Sequence, residues 1–251
     1  VNKPETFELK QCDAIEGDIH EWDDYFWIGV DHYIGDIAQI RDLKRQSVEE
    51  LVDIFTRWRL SKNTFAEDVA LEMHDAANGY IDSYFKYAVR IAEGDIDAIF
   101  DSPIMSKVVE SLLRCLPDEM PPEDRLKQIG RFFKSPHFME IPYQWLSARI
   151  FATLKDMVKR GAYVDRDRAI RRLSGFFHDV QHISIYAPYS DAFVMDQAMA
   201  NIVADPHVGL ENRFGVKVFS LNNWNEFLAW LDALEENMTS EQRAVLAAAY
   251  P

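Results

Sequence analysis

Apolar positions between Ala169 and Ile183 recur at the spacing of one helix face. At about 100° per residue, a single helical wheel places the apolar residues on an arc roughly 120° wide. These residues are Ala169, Leu173, Phe176, Phe177, Val180 and Ile183. Asp179 lies at the rim of this arc, beside His182 and on the side shared with Arg168 and Arg172. The pattern predicts one amphipathic helix with a carboxylate at the edge of the core.

Two short apolar runs follow this helix. Residues 192–195 and 216–219 have no polar alternation, which is typical of strands covered on both faces, and residues 197–204 between them read as a helix. A strand, helix, strand unit predicts parallel pairing with a right-handed crossover. Asp196, Ser220 and Asn222 come directly after the strands. We therefore expect them in a crevice at the carboxyl ends of the sheet.

The middle of the chain predicts helices. Ser47 and Glu50 have the spacing of a capping box, helical periodicity covers residues 64–93, and the run 116–122 is a linker rich in proline. Further helices are expected after Pro103 and over residues 123–133 and 143–159. The fold class expected is a predominantly helical α/β domain with a small parallel sheet. Residues 1–251 are expected to form one domain, with a helical insertion at about 46–160 and a first strand at 25–30.

A helical Asp followed by an Asp that closes a buried strand resembles the carboxyl-terminal half of a PIN-like nuclease domain, chiefly over residues 165–236. The resemblance implies that Asp179 and Asp196 bind Mg²⁺ or Mn²⁺ together with Asp31, and that Glu72 is a further catalytic acid. The usual Asp-x-Asn after the first strand is absent. The function implied is metal-dependent hydrolysis of phosphodiester bonds, with single-stranded RNA as the expected substrate.

Other residues are expected around these acids. Arg168 and Arg172, in the basic stretch 155–172, together with Asn222, are the candidates for binding the substrate, and His182 and Asp191 are expected beside the metal ligands. An alternative reading of the same residues is structural. Asp196 has the position of a helix N-cap, and Asp179 beside Arg172 fits a surface ion pair.

Charge and composition favour two further alternatives. With 27 basic and 42 acidic residues the net charge is −15, which argues against a broad nucleic-acid-binding surface and favours a non-catalytic regulator that binds a basic partner. The dipeptides His74-Asp75 and His178-Asp179, with His32, also resemble the HD-type metal phosphohydrolases. The absence of an apolar run of about 18 residues predicts no membrane span and a cytoplasmic location. Cys12 and Cys115 fit no metal-ligand spacing.

Overall fold

The structure is a computed structural model that describes residues 34–95, 98 and 104–249. Contacts divide the chain into two compact units, Val1–Asp53 and Ile54–Pro251. In the first unit the described residues form one helix, α1 (Ile34–Asp53). The strand expected at residues 25–30 lies outside the described residues, as do Asp31 and His32. The division of the chain into one domain with an insertion stays a prediction.

Ser47 was expected to cap a helix and does not. It lies inside α1, where its hydroxyl donates to the carbonyl of Leu43 at 2.9 Å. A capping Ser must have non-helical backbone, so the Ser-x-x-Glu pattern is not a cap when the residues before it are also helical.

The first part of the second unit is helical, as predicted. Thr64 and Glu67 form a capping box before the longest of its described helices, and Gly94, with φ +86°, follows that helix. The helices in order are α2 (Phe55–Leu60), α3 (Phe65–Ala92), α4 (Ile104–Arg114), α5 (Pro122–Phe133), α6 (Pro136–Glu140) and α7 (Pro142–Lys159).

The second part contains the predicted parallel sheet. β1 (Ala192–Val194) pairs with β2 (Lys217–Phe219) in parallel, with Phe193 opposite Val218. The other elements are α8 (Arg166–Arg172), α9 (Phe176–Tyr186), α10 (Gln197–Val203), α11 (Leu210–Phe214), α12 (Trp224–Asn237) and α13 (Ser240–Ala249). A mostly helical fold with a small parallel sheet is therefore confirmed, whereas the PIN-like type stays a prediction.

The helix expected to carry both the arginines and Asp179 is interrupted. It divides into α8 and α9 around Ser174 and Gly175, so Arg168 and Arg172 do not lie on the same helix as Asp179. Serine and glycine are weaker helix formers than alanine, which favours a break at this pair. The predicted apolar residues still point inward: all except Phe177, which is 37% exposed, are buried.

Helix α7 is the centre of the second unit. Leu146, Ile150, Ala152, Leu154 and Val158 on this helix are fully buried. Helices α3 and α9 both pack against α7. Because a helix that is buried around most of its circumference offers several faces to its neighbours, α7 positions side chains from both of them. None of the described helices is both long and apolar enough to cross a membrane.

Candidate functional site

The carboxyl ends of the two strands lie side by side. The N–H of Met195 donates to the carbonyl of Phe219 at 3.0 Å, and the Ser220 hydroxyl donates to Oε1 of Gln197 at 3.0 Å. Asp196 caps α10, because its Oδ1 accepts the N–H of Met199 at 2.8 Å. The capping interpretation of Asp196 is thus confirmed. Asn222 is exposed, and its backbone N–H donates to the Ser220 hydroxyl.

Asp179 lies in the first turn of α9 and is half-buried. Its carboxylate covers Gly175 so closely that a Cβ at position 175 would lie 2.8 Å from Oδ2. His182, nearly one turn further along, is exposed, with its ring centroid 6.3 Å from that of Tyr186. Asp191 is exposed before β1, and its carbonyl accepts the N–H of Lys217.

Arg172 and Asp196 line a common cavity of about 480 Å³, together with Tyr163 and Gln197. Burial raises the pKa of Tyr163, with a lowering contribution from Arg172 and a raising one from Asp196. We call this space the Arg172 cavity. Arg168 is exposed in the first turn of α8, where its backbone N–H donates to the N-cap residue Asp165.

The predicted metal site is incomplete among the described residues. Within that part of the chain, no three His, Cys, Asp or Glu side chains are placed so that they could hold a metal ion together. Glu72 lines a different cavity from Asp196. Since Asp31 lies outside the described residues, metal binding by Asp31, Asp179 and Asp196 stays a prediction.

A larger cavity, of about 870 Å³, is lined chiefly by α3, α7 and α9, with Val108 of α4. The residues that line it on α3 are Glu72, Asp75, Ala76 and Tyr80; those from the start of α7 include Tyr143, Gln144, Ser147, Ala148 and Phe151; those on α9 are Phe177, Val180, Gln181, Ser184 and Ile185. Pro188 and Tyr189 follow α9. We call this space the central cavity.

The spacing of these residues explains how three helices form one wall. Glu72, Ala76 and Tyr80 are four residues apart on α3, and the lining positions of α9 follow the same periodicity, so each helix presents one face. Four of the lining positions, Ala76, Ser147, Ala148 and Ser184, have small side chains. Small side chains on facing helices leave space that larger ones would fill.

Buried polar groups lie in this largely apolar wall. Gln144 is 4% exposed, and its Nε2 donates to the Tyr80 hydroxyl at 2.6 Å. Ser184 is 1% exposed, and its hydroxyl has no hydrogen-bond partner among the described residues. Burial raises the pKa of Tyr80 and of Tyr143, so both phenols are neutral at pH 7. A buried hydroxyl without a partner is uncommon, because losing its hydrogen bonds to water is unfavourable.

Glu72 is the titratable group in the cavity with the largest shift. Burial raises its pKa from 4.5 to about 7; Lys155 opposes the shift, and Asp75 and Asp68 add to it. At pH 7 the carboxyl is therefore close to half-protonated. A group in this state can both donate and accept a proton under physiological conditions.

An ion-pair cluster lies behind Glu72, between α3 and α7. Asp68 is fully buried; its Oδ1 lies 2.7 Å from Nζ of Lys155, and its Oδ2 contacts Nζ of Lys159. Asn63 Nδ2 also donates to Oδ1, at 3.2 Å. Burial raises the pKa of Asp68, but the hydrogen bonds from the two lysines and Asn63 outweigh burial and hold the pKa below its ordinary value. The negative charge of Asp68 therefore offsets much of the positive charge of the two lysines, which would otherwise keep Glu72 ionised.

Sequence reasoning identified Glu72 but assigned it to the strand ends. It did not identify Tyr80, Gln144 or Ser184. The available signal was a polar or small residue on the inward face of each of three helices, at positions where apolar side chains are the norm.

The central cavity combines an apolar wall, buried neutral hydrogen-bonding groups and a carboxyl that titrates near pH 7. Such a site can enclose a small molecule, orient it through hydrogen bonds and exchange a proton with it. The chain matches no protein-family model, and neither a curated protein nor a solved structure is significantly similar to it.

Proposed function

We propose that the second unit binds a small, largely apolar molecule in the central cavity. The observation that carries this proposal is a space of about 870 Å³ whose wall is mostly apolar and aromatic but contains the buried polar groups of Gln144 and Ser184. Ligand sites in proteins usually enclose roughly 300–1,000 Å³ and combine an apolar lining with a few placed polar groups.

Glu72 gives this binding site a chemical capability. Its carboxyl lines the cavity and has a pKa of about 7. It can hydrogen-bond to a bound molecule as an acid or accept a proton from it as a base. The proposed function is therefore ligand binding with proton exchange through Glu72.

The test uses N-phenyl-1-naphthylamine, a neutral apolar dye whose fluorescence rises in apolar surroundings. The wild-type protein is expected to bind the dye saturably at micromolar concentration. Ser147→Trp puts an indole ring at a half-buried position of the cavity wall, so dye affinity should fall at least tenfold. Gln128→Trp, at an exposed position of α5 outside the cavity, is the matched control and should bind like the wild type.

Circular dichroism and thermal melting of both variants establish that they are folded. Failure of the wild-type protein to bind the dye saturably would overturn the proposal. The same holds if folded Ser147→Trp binds the dye as tightly as Gln128→Trp does, because the dye would then lie elsewhere.

A second proposal is the metal-dependent hydrolysis of RNA implied by the PIN-like resemblance. The observation that favours it is that Arg172 and Asp196 line the same cavity. The test is calorimetric titration of Mn²⁺ into the wild-type protein, Asp179→Asn and Asp196→Asn, followed by incubation with single-stranded RNA. Asparagine also caps helices well, so Asp196→Asn should stay folded. Loss of binding and cleavage in both variants supports the nuclease; a wild-type protein that binds no Mn²⁺ contradicts it.

A further inference from the structure

We propose that the ligand of the central cavity is an organic cation, a primary ammonium group attached to an aromatic or alicyclic body. This inference rests on the proposed ligand-binding function and names the chemical class of the ligand. It follows from the charge of the cavity wall, its aromatic rings and the unpartnered Ser184 hydroxyl.

The charges on the wall have one sign. Glu72 and Asp75 line the cavity, and none of the described residues that line it is basic. Glu72 is half-buried, whereas the Asp75 side chain is 77% exposed, so one carboxylate lies deeper in the cavity and the other faces solvent. The second unit, residues 54–251, carries 22 basic and 28 acidic residues, and this net charge of −6 adds attraction at longer range. This field favours a cation over a neutral or anionic molecule of the same shape.

Lys155, the ammonium group that acts on Glu72, is already paired. Its Nζ lies 2.7 Å from Asp68 Oδ1 and 5.8 Å from the ring centroid of Trp58. Glu72 therefore lacks a cation of its own at hydrogen-bonding distance among the described ion pairs. An ammonium group entering the cavity would supply one.

Aromatic rings surround the space that such a cation would enter. Tyr80, Tyr143, Phe151, Phe177 and Tyr189 line the cavity. The negative face of an aromatic ring attracts a cation within about 6 Å, and the same rings pack against an apolar body. A wall of this composition accommodates both parts of an arylalkyl ammonium ion.

Ser184 adds a directional contact. Its hydroxyl oxygen is buried in the wall and has no partner in the part of the chain that the structure describes. An ammonium group carries three N–H donors, so it has donors for Ser184 as well as for Glu72, and both residues line the same cavity. A hydrogen bond from the ammonium group would give the hydroxyl the partner that it lacks within the described ranges.

The experiment compares three probes of nearly the same size and different charge: 1-naphthylmethylammonium, 1-naphthylmethanol and 1-naphthylacetate. Affinities are measured by calorimetry at pH 8 with the full chain. We expect the ammonium ion to bind at least tenfold more tightly than the alcohol, and the acetate to bind least. Glu72→Gln should reduce the preference for the ammonium ion over the alcohol to threefold or less. Asp82→Asn, which removes an exposed carboxylate from the same helix, should leave the preference unchanged.

Proton release distinguishes a contact with Glu72 from general attraction. Because the cation favours the ionised carboxyl, binding at pH 7 should release up to about half a proton, measured from calorimetry in buffers of different ionisation enthalpy. The other charged groups that act on Glu72 are Asp68 and Asp75 on α3 and Lys155 on α7, and Asp82 is not among them. Because Glu72 is the group that releases the proton, proton release should disappear in Glu72→Gln and persist in Asp82→Asn.

Equal affinity for the ammonium ion and the alcohol would overturn the inference, as would a preference that survives in Glu72→Gln. In either case, saturable binding of the neutral dye would still support the central cavity as a ligand site. If the wild-type protein does not bind the dye, the proposed function itself fails.

Discussion

At the scale of single residues, two carboxyls on one helix differ in burial and in ion pairing, and this difference sets the charge at the central cavity. Asp68 and Glu72 are four residues apart on α3. Asp68 accepts hydrogen bonds from Lys155, Lys159 and Asn63, which hold its pKa down, whereas burial raises the pKa of Glu72 to about 7. Two acids on one helix face therefore have different protonation states at neutral pH, which suits one for structure and the other for proton exchange.

The first prediction concerns Glu72→Gln. Because the pKa of Glu72 is higher in the folded protein than its ordinary value of 4.5, the folded state binds the proton more tightly, and stability falls as pH rises from about 4.5 to 7. Glutamine does not ionise, so the substitution removes this loss of stability. The free energy of unfolding should rise by about 1–2 kcal/mol at pH 8 and change little at pH 4.5. Urea denaturation at both pH values measures the difference. A variant less stable than the wild type at pH 8 contradicts it.

The second prediction concerns Asp68→Ala. The substitution leaves Lys155 and Lys159, whose side chains are only 9% and 14% exposed, without their carboxylate. The free energy of unfolding at pH 7 should fall by about 3–5 kcal/mol, because an uncompensated buried charge is strongly unfavourable. Asp82→Asn, on the exposed side of the same helix, should change it by less than about 0.5 kcal/mol. Chemical denaturation of both variants checks this, and similar effects at the two sites would count against the buried cluster.

At the scale of elements, two glycines with positive φ flank the short helix α11. Gly209, with φ +64°, precedes the helix, and Gly215, with φ +72°, follows it. Gly209 also faces Trp145, and the guanidinium groups of Arg149 and Arg213 each lie 4.3 Å from the centroid of that ring. These contacts attach α11 to α7, so the glycine before the helix has a packing role that the glycine after it lacks.

The third prediction compares alanine at these two positions. Gly215→Ala adds a Cβ that meets no atom within 4 Å, so only backbone strain of about 1 kcal/mol is expected. Gly209→Ala adds the same backbone strain and also brings a Cβ to 3.2 Å from the Trp145 ring. Its free energy of unfolding should therefore be about 2–3 kcal/mol lower than that of the wild type. Thermal or urea unfolding of the pair measures the difference. Equal losses would mean that the Trp145 ring moves freely.

Sequence periodicity predicted most of these elements, because the signals are local. The helical periodicity of residues 64–93 and the apolar runs that form β1 and β2 each lie within a short stretch of the chain. The position of Ser47 inside a helix and the interruption at Gly175 were not predicted, for opposite reasons. At Ser47 a capping pattern occurs inside a longer helix, and at Gly175 an apolar face continues across a break.

At the scale of the whole molecule, the second unit carries 22 basic and 28 acidic residues, and its net charge of −6 should act on any ligand that approaches it. Long-range attraction between opposite charges accelerates binding and weakens as salt shortens the Debye length from about 30 Å at 0.01 M to about 8 Å at 0.15 M. An anionic polymer is repelled by the same charge, so RNA binding would require the local basic groups near Arg172.

The fourth prediction follows from this charge. Raising NaCl from 10 to 300 mM should lower the affinity for 1-naphthylmethylammonium by roughly three- to tenfold, because both long-range attraction and local pairing are screened. The affinity for 1-naphthylmethanol, which carries no charge, should change by less than twofold. Calorimetry at the two salt concentrations makes the comparison. An equal salt effect on both probes would show that the charge of the protein does not act at the cavity.

The amino-acid sequence by itself predicted most of the helices and the two strands, and it offered the capping of α10 by Asp196 as one of two interpretations, because these signals lie in residues close together in the chain. Tertiary structure alone decided the central cavity, since its wall joins residues 72–80 of α3 to residues 141–151 around α7 and residues 177–189 around α9. It also decided the protonation of Glu72, which depends on burial and on Lys155, 83 positions away in the sequence. Burial and the distances between charges are properties of packing, and packing brings together residues whose separation along the chain carries no local signal.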